Sequence, residues 1–184
     1  MNQQLFEGEQ VRLAAIELDK DAETEAKWTN DPEYLQMVQL EPARPLSPNQ
    51  IKKRYEDAEK EKNWFAFAIR TRADDRMIGL VRMSWIEWTN GTGYLSIGIG
   101  EAADRGRGYG TEAIQLVLRY AFTELNLYRL STLVPECNSK ALQFFERAGF
   151  HVEVRRRQAI QRDRRRWDLL VLGLLRDEWQ GGKQ

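Results

Sequence analysis

Hydrophobic and polar positions follow two different periods along this chain, and the changes of period mark out its elements. Residues 11–16, "VRLAAI", predict a first strand. The polar stretch "DKDAETEAKWTN" predicts a short helix, with Asp19 or Asp21 as its N-cap. "DPEYLQMVQLEPARPL" holds three prolines and predicts a helical turn followed by loop. "SPNQIKKRYEDAEKEK" predicts a helix in which Ser47 caps, Pro48 takes the first helical position and Gln50 completes a capping box. "WFAFAIRTR" and "MIGLVRMSWIEW", with Asp74 and Asp75 between them, predict a hairpin. In "GYLSIGIG", Leu95, Ile97 and Ile99 share one face and Ser96 and Gly98 the other, which predicts a strand. Ile114, Val117, Leu118, Ala121 and Leu125 then recur at helical spacing. "LYRLSTLV" reads as a strand. "SKALQFFERAGF" reads as a helix stopped by Gly149, with Phe150 packing back. "HVEVRRRQAI" and "RRWDLLVLGLL" flank the polar "QRDR" as a closing antiparallel pair. This order predicts an α+β domain around one mixed sheet of about seven strands with about four helices. The helix from Thr111 joins two parallel neighbours by a right-handed crossover.

The length of 184 residues suits one domain, with a folded core over about residues 9–179. Lysine plus arginine and aspartate plus glutamate each number 28, so any polyanion site must be local rather than a property of the whole surface. The start, "MNQQLFEGEQ", lacks the basic and apolar regions of a signal peptide. The longest apolar run, from Leu169 to Leu175, is too short to span a bilayer. Cys137 is the only cysteine and His151 the only histidine, which argues against an internal disulfide and a zinc site. A cytoplasmic protein without a metal is expected.

The densest chemistry lies in "DRGRGYGTEA", where Gly106, Gly108 and Gly110 precede a helix. A helix N-terminus presents unpaired N–H groups and partial positive charge, and glycine lets that backbone approach a diphosphate closely. A Walker loop would need lysine after Gly110, where Thr111 stands; a dinucleotide fingerprint would need glycine at that same position. Arg-x-x-Gly-x-Gly, met by Arg105, Gly108 and Gly110, remains, beside the plain reading of a glycine-rich surface turn.

This stretch resembles the coenzyme A pyrophosphate loop of the GNAT superfamily of N-acetyltransferases. "IGIGEAADRGRGYGTEAIQLVLRYAF" is similar to that family's fourth strand, loop and third helix, and "NLYRLSTLVPECNSKALQFFERAGF" to its fifth strand and following helix. "RRRWDLLVLGLLRDEW", "VRLAAIELDKDAE" and "WTNDPEYL" resemble the branch of ribosomal-protein alanine and spermidine N-acetyltransferases. The resemblance implies acetyl-coenzyme A as co-substrate, a primary amine as acceptor, and fourth and fifth strands that splay apart. By position, the backbone of Arg105, Gly106, Arg107, Gly108, Tyr109, Gly110 and Thr111 would bind the pyrophosphate. Gly98, Ile99 and Gly100 would bond pantetheine and the acetyl carbonyl, with an N–H near Ile99 stabilising the oxyanion. Asn138 matches an asparagine that contacts the pantetheine arm, and Phe145, along the same helix, would line the cofactor with it.

Two positions depart from the family. Phe145 stands where a tyrosine often protonates the leaving thiolate, and Tyr94 where relatives carry a glutamate in the fourth strand. Glu87, between Trp85 and Trp88, is the candidate base for the acceptor amine, with an exposed strand-end carboxylate as the plain alternative. Tyr94 or Ser96 could order a water, and Glu41 lies in the loop where relatives bind acceptor. Cys137 and His151 read as structural and surface residues. The arginines at 155–157 and 162–166 alternate with Glu153, Asp163 and Asp168, which suits a solvated hairpin or the edge of a homodimer better than a nucleic-acid site. Two other functions stay open: a non-catalytic acyl-coenzyme A-binding module, and more remotely an RNA- or ribosome-associated protein.

Overall fold

In the computed structural model, which describes residues 4–179 and 181, seven strands form one open sheet in the order β1-β2-β3-β4-β5-β7-β6. They are β1 (Val11–Ala14), β2 (Phe65–Thr71), β3 (Met77–Glu87), β4 (Thr92–Ile99), β5 (Arg129–Pro135), β6 (His151–Arg162) and β7 (Arg165–Leu175). Among the described residues five α-helices cover it: α1 (Leu18–Trp28), α2 (Pro32–Val38), α3 (Pro48–Glu59), α4 (Tyr109–Arg119) and α5 (Ser139–Arg147). β4 and β5 are parallel and joined through α4, while the other neighbours pair antiparallel. The fold is the expected α+β sheet with one helix more. Pro32–Val38 is a full helix because Pro32 starts it and the Asp31 carboxylate accepts from the Glu33 N–H at 2.9 Å.

The sheet is covered on both faces. Leu95, Val81 and Met83 pack with Ile114, Val117 and Leu118 of α4 and Phe145 of α5. On the opposite face Leu80 and Ala68 meet Ala22 and Ala26 of α1 and Ile51 and Tyr55 of α3. Each large apolar side chain taken out of water contributes roughly 1.5–3 kcal/mol. The small alanines let the helices lie close to the strands.

Two local expectations are corrected. Neither Asp19 nor Asp21 is the cap of α1, because the helix begins a turn earlier, after Glu17. Asp21 instead reaches back to accept from the Glu17 N–H at 2.8 Å, and its carboxylate takes Arg70 at 2.7 Å. Both partners of that ion pair are buried, Asp21 at 1% and Arg70 at 0% exposure, and it fastens α1 to β2. The helix expected to run unbroken to Leu125 widens after Arg119 into a π-helical turn, closed by the Leu125 N–H on the Tyr120 carbonyl at 3.1 Å. The capping box at Ser47 and Gln50 forms as expected. β6 is an edge strand and almost wholly exposed, with Arg155 paired to Glu136 and Asp168. Charged side chains along such an edge discourage pairing with another chain.

Candidate active site

β4 and β5 stay in register for only three residue pairs, from Thr92↔Arg129 to Tyr94↔Ser131. Beyond that point β4 continues against β3 to Ile99 and β5 continues against β7 to Pro135, so the two central strands open into a V. The Gly100 N–H donates to the Ile78 carbonyl at 2.9 Å. Peptide groups alternate between strand edges, so the N–H groups of Ile97 and Ile99 point the other way, into the V.

At the open end of the V, a single turn over Ala102–Asp104 leads into the glycine stretch. Gly106 and Gly108 have φ of +74° and +89°, a region that glycine occupies without steric cost. A Cβ on Gly106 would meet nothing within 4 Å, and one on Gly108 only the Gln10 side chain at 3.6 Å. The space before both is open. The Glu112 N–H closes the first turn of α4 on the Gly108 carbonyl at 3.0 Å, which leaves the N–H groups of Tyr109, Gly110 and Thr111 without a helical acceptor. With the positive end of the helix dipole behind them, these unpaired donors have the chemistry that attracts an anion.

The loop is held from beneath. Arg76 bonds both oxygens of Asp104, at 2.7 and 3.0 Å. That hydrogen-bonded pairing holds the Asp104 carboxyl below the usual carboxylate range despite its burial. Arg105 turns inward: its Nε donates to the Ile99 carbonyl at 3.1 Å and its Nη2 to the Gly100 carbonyl at 2.6 Å. Its guanidinium also lies 5.8 Å from the centre of the Tyr34 ring. Arg105 therefore braces the loop, and Arg107, exposed beside the Tyr109 ring, is the arginine left to face a ligand.

The other face of splayed β4 carries a small cavity lined by Tyr34, Val38, Leu80, Arg82, Ser96, Ile97 and Gly98. Arg82 sits opposite Ser96 and Leu80 opposite Gly98, so these pairs share its floor. α2 supplies the roof. A Cβ on Gly98 would lie 2.7 Å from Val38 Cγ1 and 3.6 Å from the Tyr34 hydroxyl. A Cβ on Gly100 would lie 2.0 Å from the Trp28 indole. These two glycines are what allow α1 and α2 to come down on the strand.

Beneath the cavity lies a buried ionic cluster. Glu25 accepts from Arg82 at 2.5 Å, from the Tyr55 hydroxyl at 2.6 Å, and from Arg54. Arg82 also donates to the Tyr55 hydroxyl at 3.1 Å. Desolvation disfavours the Glu25 carboxylate, but Arg82 and Arg54 outweigh it and hold the group below its ordinary range. Burial pushes the Tyr55 hydroxyl up to about 12 and raises that of Tyr34 too. Tyr34 is 5% exposed, and among the described residues its hydroxyl has no hydrogen-bond partner. Sequence reasoning singled out none of these residues. The signal was there: Arg82 interrupts the apolar run of β3, and Asp21, Glu25 and Trp28 recur at helical spacing on the face of α1 that carries Ala22.

The residues singled out in the sequence are not all brought together. Ile99, Gly98 and Gly100 lie along the V, and Arg105 to Thr111 at its mouth. Asn138 caps α5, its Oδ1 accepting from the Ala141 N–H at 3.1 Å. Phe145 is 6% exposed and packed between Phe144 and Phe150 in the core, and Phe144 is the α5 ring that approaches Gly110. Glu87 pairs with Thr92, at the end of β4 far from Gly98. It accepts from Asn90 at 3.0 Å within its own turn, and its neighbours Trp85 and Trp88 pack edge-to-face with Tyr94 and Phe65 rather than framing it. The geometry does not carry Glu87 to the cavity. Glu41 and His151 are exposed. Cys137 follows the end of β5, and partial desolvation raises its thiol pKa, the opposite of an activated nucleophile. Ser96 does line the cavity, and Tyr94 lies at the point where the strands part.

A family model described as the Acetyltransferase (GNAT) domain matches residues 10–151. The probable N-acetyltransferase YjcK of Bacillus subtilis is 35% identical over 100 residues, which cover 54% of this chain and 55% of that protein. The uncharacterized N-acetyltransferase p20 of Bacillus licheniformis is 26% identical over 94% of this chain and 97% of its own length. Among solved structures, spermidine N-acetyltransferase from Vibrio cholerae in complex with CoA and spermine superposes with a TM-score of 0.83 at 23% identity, over 92% of this chain and 97% of that one. The superposition shows a shared fold, and the family model, spanning the strands and loop that build the V, shows the kinship: this chain belongs to the GNAT family of N-acetyltransferases.

Proposed function

We propose that this acetyltransferase takes acetyl-coenzyme A as donor and passes the acetyl group directly to a primary amine. The observation that carries the reading is the V between β4 and β5 opening onto the glycine-lined start of α4. The site fits the donor. The open space before Gly106 and Gly108 would take the pyrophosphate on the N–H groups of Tyr109, Gly110 and Thr111, with Arg107 alongside. The N–H groups of Ile97 and Ile99 would bond the pantetheine arm and the acyl oxygen. Donors already aimed at an oxygen where negative charge develops are typically worth ~2.7–4 kcal/mol each. The solved relative that holds CoA supports the donor, and the relatives named spermidine N-acetyltransferases support an amine as acceptor.

An aliphatic amine with a pKa near ~10.4 must lose a proton before it attacks. The cavity lining contains no carboxylate. Deprotonation of the amine through water, and protonation of the thiolate by solvent or by a group other than residue 145, are consistent with that lining. Coenzyme A is a fair leaving group, so transfer proceeds without a tyrosine at position 145.

The test is a melting-temperature series with acetyl-coenzyme A, followed by thiol release on adding a panel of amines. Wild type should be stabilised by the donor, and Gly108→Glu should not, because its carboxylate would enter the phosphate space. Stabilisation of the variant equal to wild type would move the donor elsewhere. Donor binding with no amine-dependent thiol release would leave a non-catalytic acyl-coenzyme A-binding module.

A further inference from the structure

We propose that the acceptor carries a carboxylate beside its reactive amine, held by Arg82 and the Tyr34 hydroxyl in the cavity against Gly98, and that polyamines are poor acceptors. This rests on the transfer reading above and names the substrate class for that same site.

The cavity presents hydrogen-bond donors and one fixed positive charge. Tyr34 aims an unpartnered hydroxyl at it, Ser96 adds a second, and Arg82 supplies the guanidinium. Arg82 commits only Nη2, to Glu25 and Tyr55; its Nε and Nη1 bond nothing among the described residues. A guanidinium held at one nitrogen keeps its planar fork in place for a carboxylate, so little order is lost when that carboxylate binds. The Tyr34 phenol, raised by burial, stays protonated through the neutral range and is a donor there.

Charge disfavours the alternative. Glu25 is the carboxylate of the cluster beneath the cavity, and it is already shared by Arg54, Arg82 and Tyr55. Two arginines against one glutamate leave the cluster net positive. A polyamine would bring a second ammonium towards that charge with no free carboxylate lining the cavity to receive it. It would also leave the Tyr34 hydroxyl and the Arg82 fork unpaired, and sites built to bond a polar group discriminate strongly against ligands that lack it. Glu41, Glu87 and, at the start of α2, Asp31 and Glu33 are solvent-accessible carboxylates outside the cavity lining.

The carboxylate could belong to a free amino acid or to the first residue of a peptide. The experiment therefore compares kcat/KM for glutamate, for a peptide with N-terminal aspartate, for the carboxamide counterpart of each, and for spermidine. At least one carboxylate acceptor should exceed its carboxamide by about 10- to 100-fold, as expected for hydrogen bonds to a charged group, and should exceed spermidine. Which one does so identifies the source. Tyr34→Phe keeps the ring packed on Trp28 and removes only the hydroxyl; it should shrink the carboxylate-to-carboxamide ratio by raising the acceptor KM, with the acetyl-coenzyme A KM unchanged. Arg82→Gln should shrink the ratio further, and Tyr34→Phe keeps the test valid if that variant does not fold. Calorimetry with N-acetylglutamate and coenzyme A, on wild type and Tyr34→Phe, reads the same subsite without turnover. Spermidine used better than every carboxylate acceptor, or an unchanged ratio in folded Tyr34→Phe, overturns the proposal. If no amine releases thiol, the transfer reading has failed, and calorimetry alone decides the subsite: binding weakened in Tyr34→Phe upholds it, and absence of binding to wild type overturns it.

Discussion

Replacing Gly100 with alanine tests whether the helices really seat on the tail of β4. The new methyl group would stand 2.0, 2.2 and 2.5 Å from three atoms of the Trp28 indole. Ordinary contact between carbon atoms is about 3.5–4 Å, so the ring would have to retreat by about 1.5 Å. It has little room to do so. Trp28 is 3% exposed, its Nε1 donates to Glu101 at 3.1 Å, and its edge packs on Tyr34 at 5.9 Å between centroids. Overpacking of this kind costs about 1–3 kcal/mol. Loss of the Trp28–Glu101 hydrogen bond adds about 1 kcal/mol. The expected total of about 2–4 kcal/mol corresponds, at about 2–4 °C per kcal/mol for a chain of this size, to a fall in Tm of about 4–16 °C. Urea denaturation gives the free energy directly. Gly106→Ala is the control: its methyl would meet open space, and only the positive φ costs it, by about 1–2 kcal/mol. A Gly100→Ala variant within about 0.5 kcal/mol of wild type, or one less affected than Gly106→Ala, would refute the packing of α1 against β4.

Three other outcomes follow from named contacts. Arg70→Met strands the buried Asp21 carboxylate and should lower the unfolding free energy by about 3–5 kcal/mol, read by the same denaturation. Glu87→Gln should keep the wild-type kcat and acceptor KM, because the carboxylate is spent in its own turn; a kcat loss of about 10²-fold or more would restore it as the base. Asp104 titrates below its ordinary 3.8 in the folded chain, so the Arg76–Asp104 pair stabilises fully above about pH 4–5 and is lost as pH falls through the lowered value. The wild-type urea midpoint should therefore fall between about pH 6 and about pH 3 by more than that of Asp104→Asn, and equal falls would contradict the link.

Much of the architecture is local and was legible in the sequence. The alternation of Leu95, Ile97 and Ile99 against Ser96 and Gly98 assigned the two faces of β4, because a strand cannot send neighbouring side chains the same way. Ser47, Pro48 and Gln50 marked the start of α3, because the unpaired N–H groups of a first turn need those partners within reach. The glycines at 106 and 108 before a helical pattern marked the turn into α4, where both take positive φ. Even the misplaced start of α1 erred by a single turn.

What the sequence could not show was which distant residues meet. Glu25, Tyr34, Tyr55 and Arg82 come from three helices and a strand, and only packing on one face of the sheet brings together the cavity and the ionic cluster beneath it. Glu87 looked close to the chemistry because it sits among aromatics near β4; the antiparallel register with Thr92 puts it at the far end of that strand. Gly98 and Gly100 were read for their backbone, yet what demands glycine there is the approach of Val38 and Trp28 from helices well over fifty residues earlier. Period, caps and turns depend on neighbours a few residues apart and are written in the chain itself. Charge pairing, strand-end position and side-chain clearance depend on which faces pack together, and the tertiary structure alone decides that.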